Sequence, residues 1–395
     1  MTAARAGAEG GGAPPRAPLG ELAALFLRLG LTAFGGPAAH VAMMRDEVVV
    51  RRRWLSEEAF LDLVGVTQIL PGPNSTELAI HIGLERGGPA GLLVAGACFI
   101  GPAALASGAL AWAYVRYGAL PQAGGLLYGV KPVMIAVVAQ ALVGLGQKAL
   151  VGWHARAAAA AALGAALAGA HELVAISGAG AIAASVAAAK GGARGAPRAW
   201  APPALGALGA KAAGGAAAAG AGLGAIFAVF LKTGGLLFGS GYVLLAYLRA
   251  DLVERRGWLT EAQLLDAIAV GQVTPGPVFS TATFVGYLLG GGPGALAATA
   301  GIFLPAFVFV ALAGGLAARL RRSAAAGAFL DGVNAGSLAL MALVSVHLAR
   351  GALVDAPAGL IAAAGGFALF RLRLNSAYLV LFGALAGLAL TRARG

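Results

Sequence analysis

Cysteine is almost missing from this sequence of 395 residues. Its one thiol, Cys98, lies in an apolar run, so no disulfide can form within the chain, and the thiol reads as packed rather than reactive. Five histidines lie well apart and, beside a lone cysteine, offer no recognisable metal site, so neither a metal nor any other cofactor is expected. Charge is scarce as well: Asp, Glu, Lys and Arg make up only 11% of the residues. Acidic residues number 16 against 28 basic ones, a net charge of +12, yet the Lys and Arg residues are scattered through short loops. That scatter argues against nucleic acid as a partner. Residues 1–18 lack the charged, apolar and cleavage regions of a secretory signal; rich in Gly, Ala and Pro, they are expected to form a disordered tail.

What fills the chain instead is apolar. Hydrophobic residues reach 59% and the mean hydropathy is +0.83, more than an ordinary soluble core needs. Apolar runs near the roughly 20 residues that span a bilayer recur along the chain. Glycine, at 63 residues, suits close helix packing in lipid. The expectation is an all-α polytopic membrane protein whose surroundings are the lipid bilayer.

The run QILPGPNSTE, Gln68 to Glu77, returns 204 residues later as QVTPGPVFST, Gln272 to Thr281. Phe26 to Pro73 aligns without a gap on Phe230 to Pro277, with matches at Gly30/Gly234, Arg45/Arg249, Trp54/Trp258, Glu57/Glu261 and Asp62/Asp266. Matches through loops, charges and helix breakers are not what apolar composition alone produces. The chain therefore reads as a first repeat over 19–189, a Gly, Ala and Pro rich linker over 190–222, and a second repeat over 223–395. Each repeat opens with an apolar segment ending in glycines, continues through an amphipathic Arg-bearing stretch, and starts a helix at an N-cap, Ser56 or Thr260. A helical hairpin broken at Pro-Gly-Pro comes next, its second arm spanning 74–84 or 278–289. Four longer apolar segments then follow, over 90–115, 121–147, 150–169 and 173–189 in the first repeat. Five crossings plus a returning hairpin place the repeats in inverted topology, with the linker cytoplasmic. Most basic loops agree with that orientation, and Arg249, Arg255 and Arg256 argue against it.

Proline fixes its own φ, removes a donor and pushes the preceding residue out of the helical region, so Pro-Gly-Pro must interrupt a helix. Within a membrane, interrupted backbone survives only where protein covers it or a cavity hydrates it. Helix starts at such places offer N–H groups and a positive dipole end to an anion. The candidate oxyanion contacts are Gly35, Gly36, Pro37, Gln68, Pro71, Gly72, Pro73, Asn74, Ser75 and Thr76 in the first repeat. In the second they are Gly239, Ser240, Gly241, Gln272, Gly276, Ser280 and Thr281. Lys131 interrupts an apolar segment and has two readings: it neutralises the anion, or it snorkels to the interface, as Asn334 at the matching place suggests. Glu77 either stabilises the helix end or exchanges a proton during transport. Arg45, Arg51 and Arg52 attract anions or form a solvated, headgroup-binding face. His40 and His81, not echoed as His in the second repeat, read as local packing.

At FGGPAAHVAMM (34–44), RRRWLSEEAFLDLVGVTQILPGPNSTELA (51–79), FGSGYVLLAYL (238–248) and GQVTPGPVFSTATFVGYLLGG (271–291) the sequence resembles the chromate transporter family in its long, two-repeat form. The resemblance covers nearly the whole chain apart from the tail and the linker. It implies a multi-pass carrier of a prokaryotic inner membrane that exports chromate, a dianion close in shape to sulfate, with protons as coupling partners. It carries site roles onto Gly35, Gly36, Pro37, Gln68, Pro71, Gly72, Pro73, Asn74, Ser75, Thr76 and Glu77. In the second repeat Ser240 and Gly241 replace Gly-Pro, and Val278 and Phe279 replace Asn-Ser, so the first repeat is expected to supply more of the polar contacts. Sulfate or another oxyanion taken up is the alternative cargo, and an enzyme acting on phospholipid or polyprenyl phosphate headgroups the alternative class. No clustered catalytic set supports that enzyme. A homodimer is left open as the assembly.

Overall fold

The computed structural model describes residues 17–33, 37–68, 70–118, 121–190, 221–237, 243–321 and 324–394, and all regular structure among them is helical. In chain order the helices are α1 (Leu19–Thr32), α2 (Pro37–Arg45), α3 (Glu57–Thr67), α4 (Asn74–Tyr117), α5 (Pro121–Ala149), α6 (Trp153–Leu167) and α7 (Glu172–Lys190). The same order then recurs as α8 (Leu223–Leu236), α9 (Leu244–Leu248), α10 (Glu261–Val273), α11 (Thr281–Arg321), α12 (Ala324–Ala352), α13 (Ala356–Phe370) and α14 (Ser376–Arg394). Both α2 and α9 run on into a wider π-helical turn, Asp46–Arg51 and Arg249–Arg255. The tail up to residue 16 and the linker over 191–220 lie outside the described residues, as do 34–36 and 238–242.

Local chemistry sets the boundaries. Ser56 Oγ accepts from Ala59 N–H at 3.1 Å to start α3, and Thr260 forms a capping box with Gln263 to start α10. Salt bridges tie the amphipathic stretches down in matching pairs: Arg28 with Glu47 answers Lys232 with Asp251, and Arg45 with Glu57 answers Arg249 with Glu261. The Arg45 fork is bidentate, both bonds 2.7 Å. It holds the exposed Glu57 carboxyl below the usual carboxylate range, chiefly through those hydrogen bonds. Arg51 engages Asp46 and Glu47, and Arg52 engages Glu21 while stacking on Trp54. These arginines are therefore committed to acidic partners at the ends of the short helices.

In each repeat the hairpin arm and the apolar segment expected after it are joined into one long helix that folds sharply. In α4 the fold is at Gly88, φ +63°, followed by Pro89; in α11 it is at Gly291, φ +61°. A residue with a side chain is strained at such φ values. The folded arms touch backbone to backbone: a Cβ on Gly83 would lie 2.4 Å from Gly91 O, and one on Gly286 would lie 2.3 Å from Gly294 O. Pairing Gly83 with Gly91 and Ile80 with Gly96 and extending the register sets Asn74 opposite residues 100–102. That is the middle of the arm 89–117.

The halves interlock. Arms of α4 and α11 pack on each other at the centre, with α1 along α4 and α8 along α11. Outside them, α5 is held between α13 and α14 of the second repeat, while α12 is held between α6 and α7 of the first. Glycine allows the closest crossings: a Cβ on Gly129 would lie 1.8 Å from Gly383 O, and one on Gly332 would lie 2.4 Å from Ala179 O.

Among the described residues, six helices are long and apolar enough to cross a bilayer, α4, α5, α7, α11, α12 and α14. The helices α1, α6, α8 and α13 have 14 or 15 residues, about 21–23 Å at 1.5 Å per residue against a hydrocarbon core of about 30 Å. They are shorter than the full spans expected of them. The reason is local: α1 and α8 stop at the glycine-rich breaks, α6 starts only after Gly152 at φ +84°, and Asp355 caps α13 late. Large apolar side chains such as Leu105, Leu296 and Leu360 stand exposed, a surface suited to lipid.

Candidate functional site

Pro71 and Pro73 stop α3 at Thr67 and let α4 begin at Asn74; Pro275 and Pro277 separate α10, ending at Val273, from a 3-10 turn (Val278–Ser280) that feeds α11. The glycines between the prolines sit at φ +138° (Gly72) and +90° (Gly276), conformations that favour glycine. Each break is bound to the opposite repeat. The Gly72 N–H donates to Leu237 O at 2.8 Å, just past the end of α8, and the Gly276 N–H donates to Ala33 O at 2.9 Å, just past the end of α1. The two bonds are images of each other across the 204-residue repeat. Helices ending inside a bilayer leave carbonyls without partners, and here the break glycines supply the missing donors. A Cβ on Gly276 would meet Ala103 at 3.0 Å, Gly30 O at 3.2 Å and Phe99 O at 3.5 Å. Both breaks thus lie beside the same stretch of α4, residues 99–103.

Ala33 O is also the partner of His40, whose Nε2 donates to it at 3.0 Å while Nδ1 lies 3.2 Å from Ser75 Oγ. A carbonyl only accepts, so Nε2 carries the proton of the neutral ring and Nδ1 accepts from the Ser75 hydroxyl. The second repeat's break is therefore linked through Ala33 and His40 to the first turn of α4. That makes buried His40 a bridge where it had read as packing. Its signal in the sequence was a coupled loss: the positions matching His40 and Ser75 are Leu244 and Phe279, both apolar.

The start of α4 carries no side-chain cap; the N–H groups of Thr76 and Glu77 return to Pro73 O, leaving those of Asn74 and Ser75 ahead of the ladder. Just behind them, Thr76 Oγ1 and both Glu77 carboxylate oxygens are buried without a hydrogen-bond partner, as are His81 Nε2 and, in the second repeat, Gln272 Nε2. Glu77 Oε1 fills the space against Gly72, 2.5 Å from where a Cβ would stand. The second repeat's hydroxyls are occupied instead. Ser280 Oγ accepts from Ser107 at 3.1 Å with Thr274 Oγ1 at 3.4 Å, and Thr281 Oγ1 donates to Val278 O. Gln68 is exposed, unlike Gln272. Pro37 opens α2, whereas Gly35, Gly36, Gly239, Ser240 and Gly241 lie outside the described residues.

Lys131 does not join this group. Its Nζ sits 3.2 Å from Asp266 Oδ1, and Asp266 Oδ2 accepts from the Tyr114 hydroxyl at 3.0 Å. Tyr114 is seven residues beyond Ser107 on α4, about 10 Å at 1.5 Å per residue, so the pair stands away from the breaks. It joins the first repeat's α4 and α5 to the second repeat's α10. Sequence reading could not find the pair, because the position matching Asp266 is Asp62, exposed on α3, and Asn334 stands where a second lysine would.

A family model described as "Chromate transporter" matches residues 20–185 and again 224–388. A protein of Pseudomonas aeruginosa named "Chromate transport protein" is 34% identical, over 95% of this chain and 93% of its own length. One of the same name from Cupriavidus metallidurans is 31% identical, over 88% of this chain and 87% of its own. No solved structure matches.

Proposed function

Since the chain belongs to the chromate transporter family and is a multi-pass membrane transporter rather than an enzyme, we propose that it exports chromate, or another tetrahedral dianion of similar size. The oxyanion is held where the two interruptions converge, by the leading N–H groups of α4, the Thr76 hydroxyl and the Gln272 amide. The observation that carries this reading is the reciprocal bonding of Gly72 to Leu237 and of Gly276 to Ala33. It supports one shared site at the repeat interface, because helix ends from both repeats meet beside the middle of α4. Backbone donors recognise a tetrahedral anion by charge and shape without a buried cation that would have to be neutralised when the site empties. Chromate is preferred to sulfate because both named relatives are chromate transport proteins.

The repeats are placed in opposite orientations, so that one rocks against the other and the site opens to each side in turn. Cysteine labels at positions 120 and 323 are expected on opposite faces of the membrane; labels on one face reject inversion. Everted vesicles containing the protein should accumulate labelled chromate when energised, and Gly36→Leu should abolish accumulation. Unchanged uptake by that variant, or uptake of sulfate with chromate excluded, would overturn the site or the cargo respectively.

A further inference from the structure

The first arm of α4 carries Glu77, His81 and Glu85 at spacings of four, so all three lie on one face, about 6 Å of rise apart. Glu77 is fully buried beside the Pro-Gly-Pro break with both oxygens unpartnered, His81 is buried with Nε2 unpartnered, and Glu85 is exposed three residues before the fold at Gly88. The second repeat has Thr281, Val285 and Leu289 at the matching places, so this line of ionisable groups exists only once. We propose that it is the carrier's proton route, entered at Glu85 and relayed by His81, and that the proton it delivers to Glu77 travels together with the oxyanion. The proposal rests on the oxyanion site described above.

The reasoning is electrostatic. An ionised Glu77 and a dianion at the start of α4 would be like charges in one desolvated place, and each raises the cost of the other. A proton bonded to a Glu77 oxygen removes that repulsion, so the oxyanion loads onto the protonated carrier and both leave together: the coupling is co-transport. Exchange of one for the other would require the anion to prefer the charged carboxylate. One proton on a dianion leaves a net charge of −1, which an inside-negative potential still drives outward, consistent with export. An imidazole relays a proton but is a poor sodium ligand, which separates this route from a sodium site.

The other ionisable groups on the elements packed against the arm are committed or point away. Glu21 pairs with Arg52, Arg28 with Glu47, Arg45 with Glu57, and His40 bonds Ser75 and Ala33. Glu58 and Asp62 lie on the exposed side of α3. Arg86 faces Trp54, the half-buried Cys98 thiol on the second arm of α4 packs in the apolar cluster of Leu78, Ala79 and Ile82, and among the described residues the opposing part of α11 offers the phenol of Tyr287.

The test is the full-length protein in sealed proteoliposomes, with labelled chromate outside and a pH-sensitive dye inside. Chromate entering down its gradient should acidify the lumen by about one proton per oxyanion. Alkalinisation, no pH change, or flux driven by sodium at clamped pH overturns the proposal. His81→Gln should slow both movements about tenfold, His81→Glu should restore them, and Glu77→Gln should lower the proton-to-oxyanion ratio. Wild-type rates in His81→Gln would remove His81 from the route. Absence of label from the wild-type lumen, with chromate and with sulfate, would defeat the transport site itself, before any proton signal is read.

Discussion

Replacing Lys131 by methionine separates two roles for this lysine, and the structure predicts which one wins. Its ammonium lies 3.2 Å from Asp266, whose side chain is only 3% exposed, so the substitution leaves a carboxylate buried opposite an apolar group. Removing one partner of a buried pair costs about 3–5 kcal/mol. The lysine side chain is 21% exposed and Tyr114 still donates to Asp266, which places Lys131→Met near the low end, about 3 kcal/mol. Asp266→Asn alone strands the ammonium but leaves it nearer to solvent, for a loss of about 2 kcal/mol. With both changes neither charge is stranded, and the double variant should return to within about 1 kcal/mol of the wild type. Unfolding of the purified protein in mixed micelles of increasing SDS content gives the three differences, and chromate uptake by everted vesicles gives the second readout. If Lys131 serves the pair, the double variant transports far better than Lys131→Met. Equal loss of transport in both, with stability recovered only in the double, would place the Lys131 charge on the oxyanion and refute the reading.

Three further outcomes follow from the geometry. Gly276→Ala puts a side chain at φ +90° and against Gly30 O and the Ala103 methyl, so it should cost about 1–3 kcal/mol of stability and loosen the bond to Ala33, seen as faster exchange of the amide at position 276 than in the wild type. Gly129→Leu cannot coexist with the present approach to Gly383 O; it should separate α5 from α14 at a cost of about 3 kcal/mol, read as earlier unfolding of the purified protein in mixed micelles of increasing SDS content. Ser56→Ala and Thr260→Ala each remove a helix cap and should each cost about 1 kcal/mol, additively because the caps belong to different repeats.

Much of the framework was readable because it is encoded within a few residues. Pro71, Gly72 and Pro73 interrupt a helix through their own sterics, Ser56 and Thr260 cap through a hydroxyl three residues from its donor, and the 204-residue repeat is visible in matched breakers and charges. The joined arms of α4 were half legible: the arm over 74–84 and the segment over 90–115 read as separate, but whether the gap between them ends a helix or folds one depends on Gly83 meeting Gly91. The lysine was legible as an anomaly and not as a pair, since its carboxylate lies 135 positions away in the other repeat.

The amino-acid order by itself determined the class, the duplication, the interruptions at Pro-Gly-Pro and the family, for these follow from composition and from short-range backbone preference. Tertiary structure alone decided that each interruption is bound to the other repeat, that His40 bridges them, that Lys131 is committed to Asp266, and that both Glu77 oxygens and His81 Nε2 are left buried without partners. Those outcomes depend on which helix ends meet in an interior where every donor and acceptor must find a partner or go without, and no local pattern carries that information.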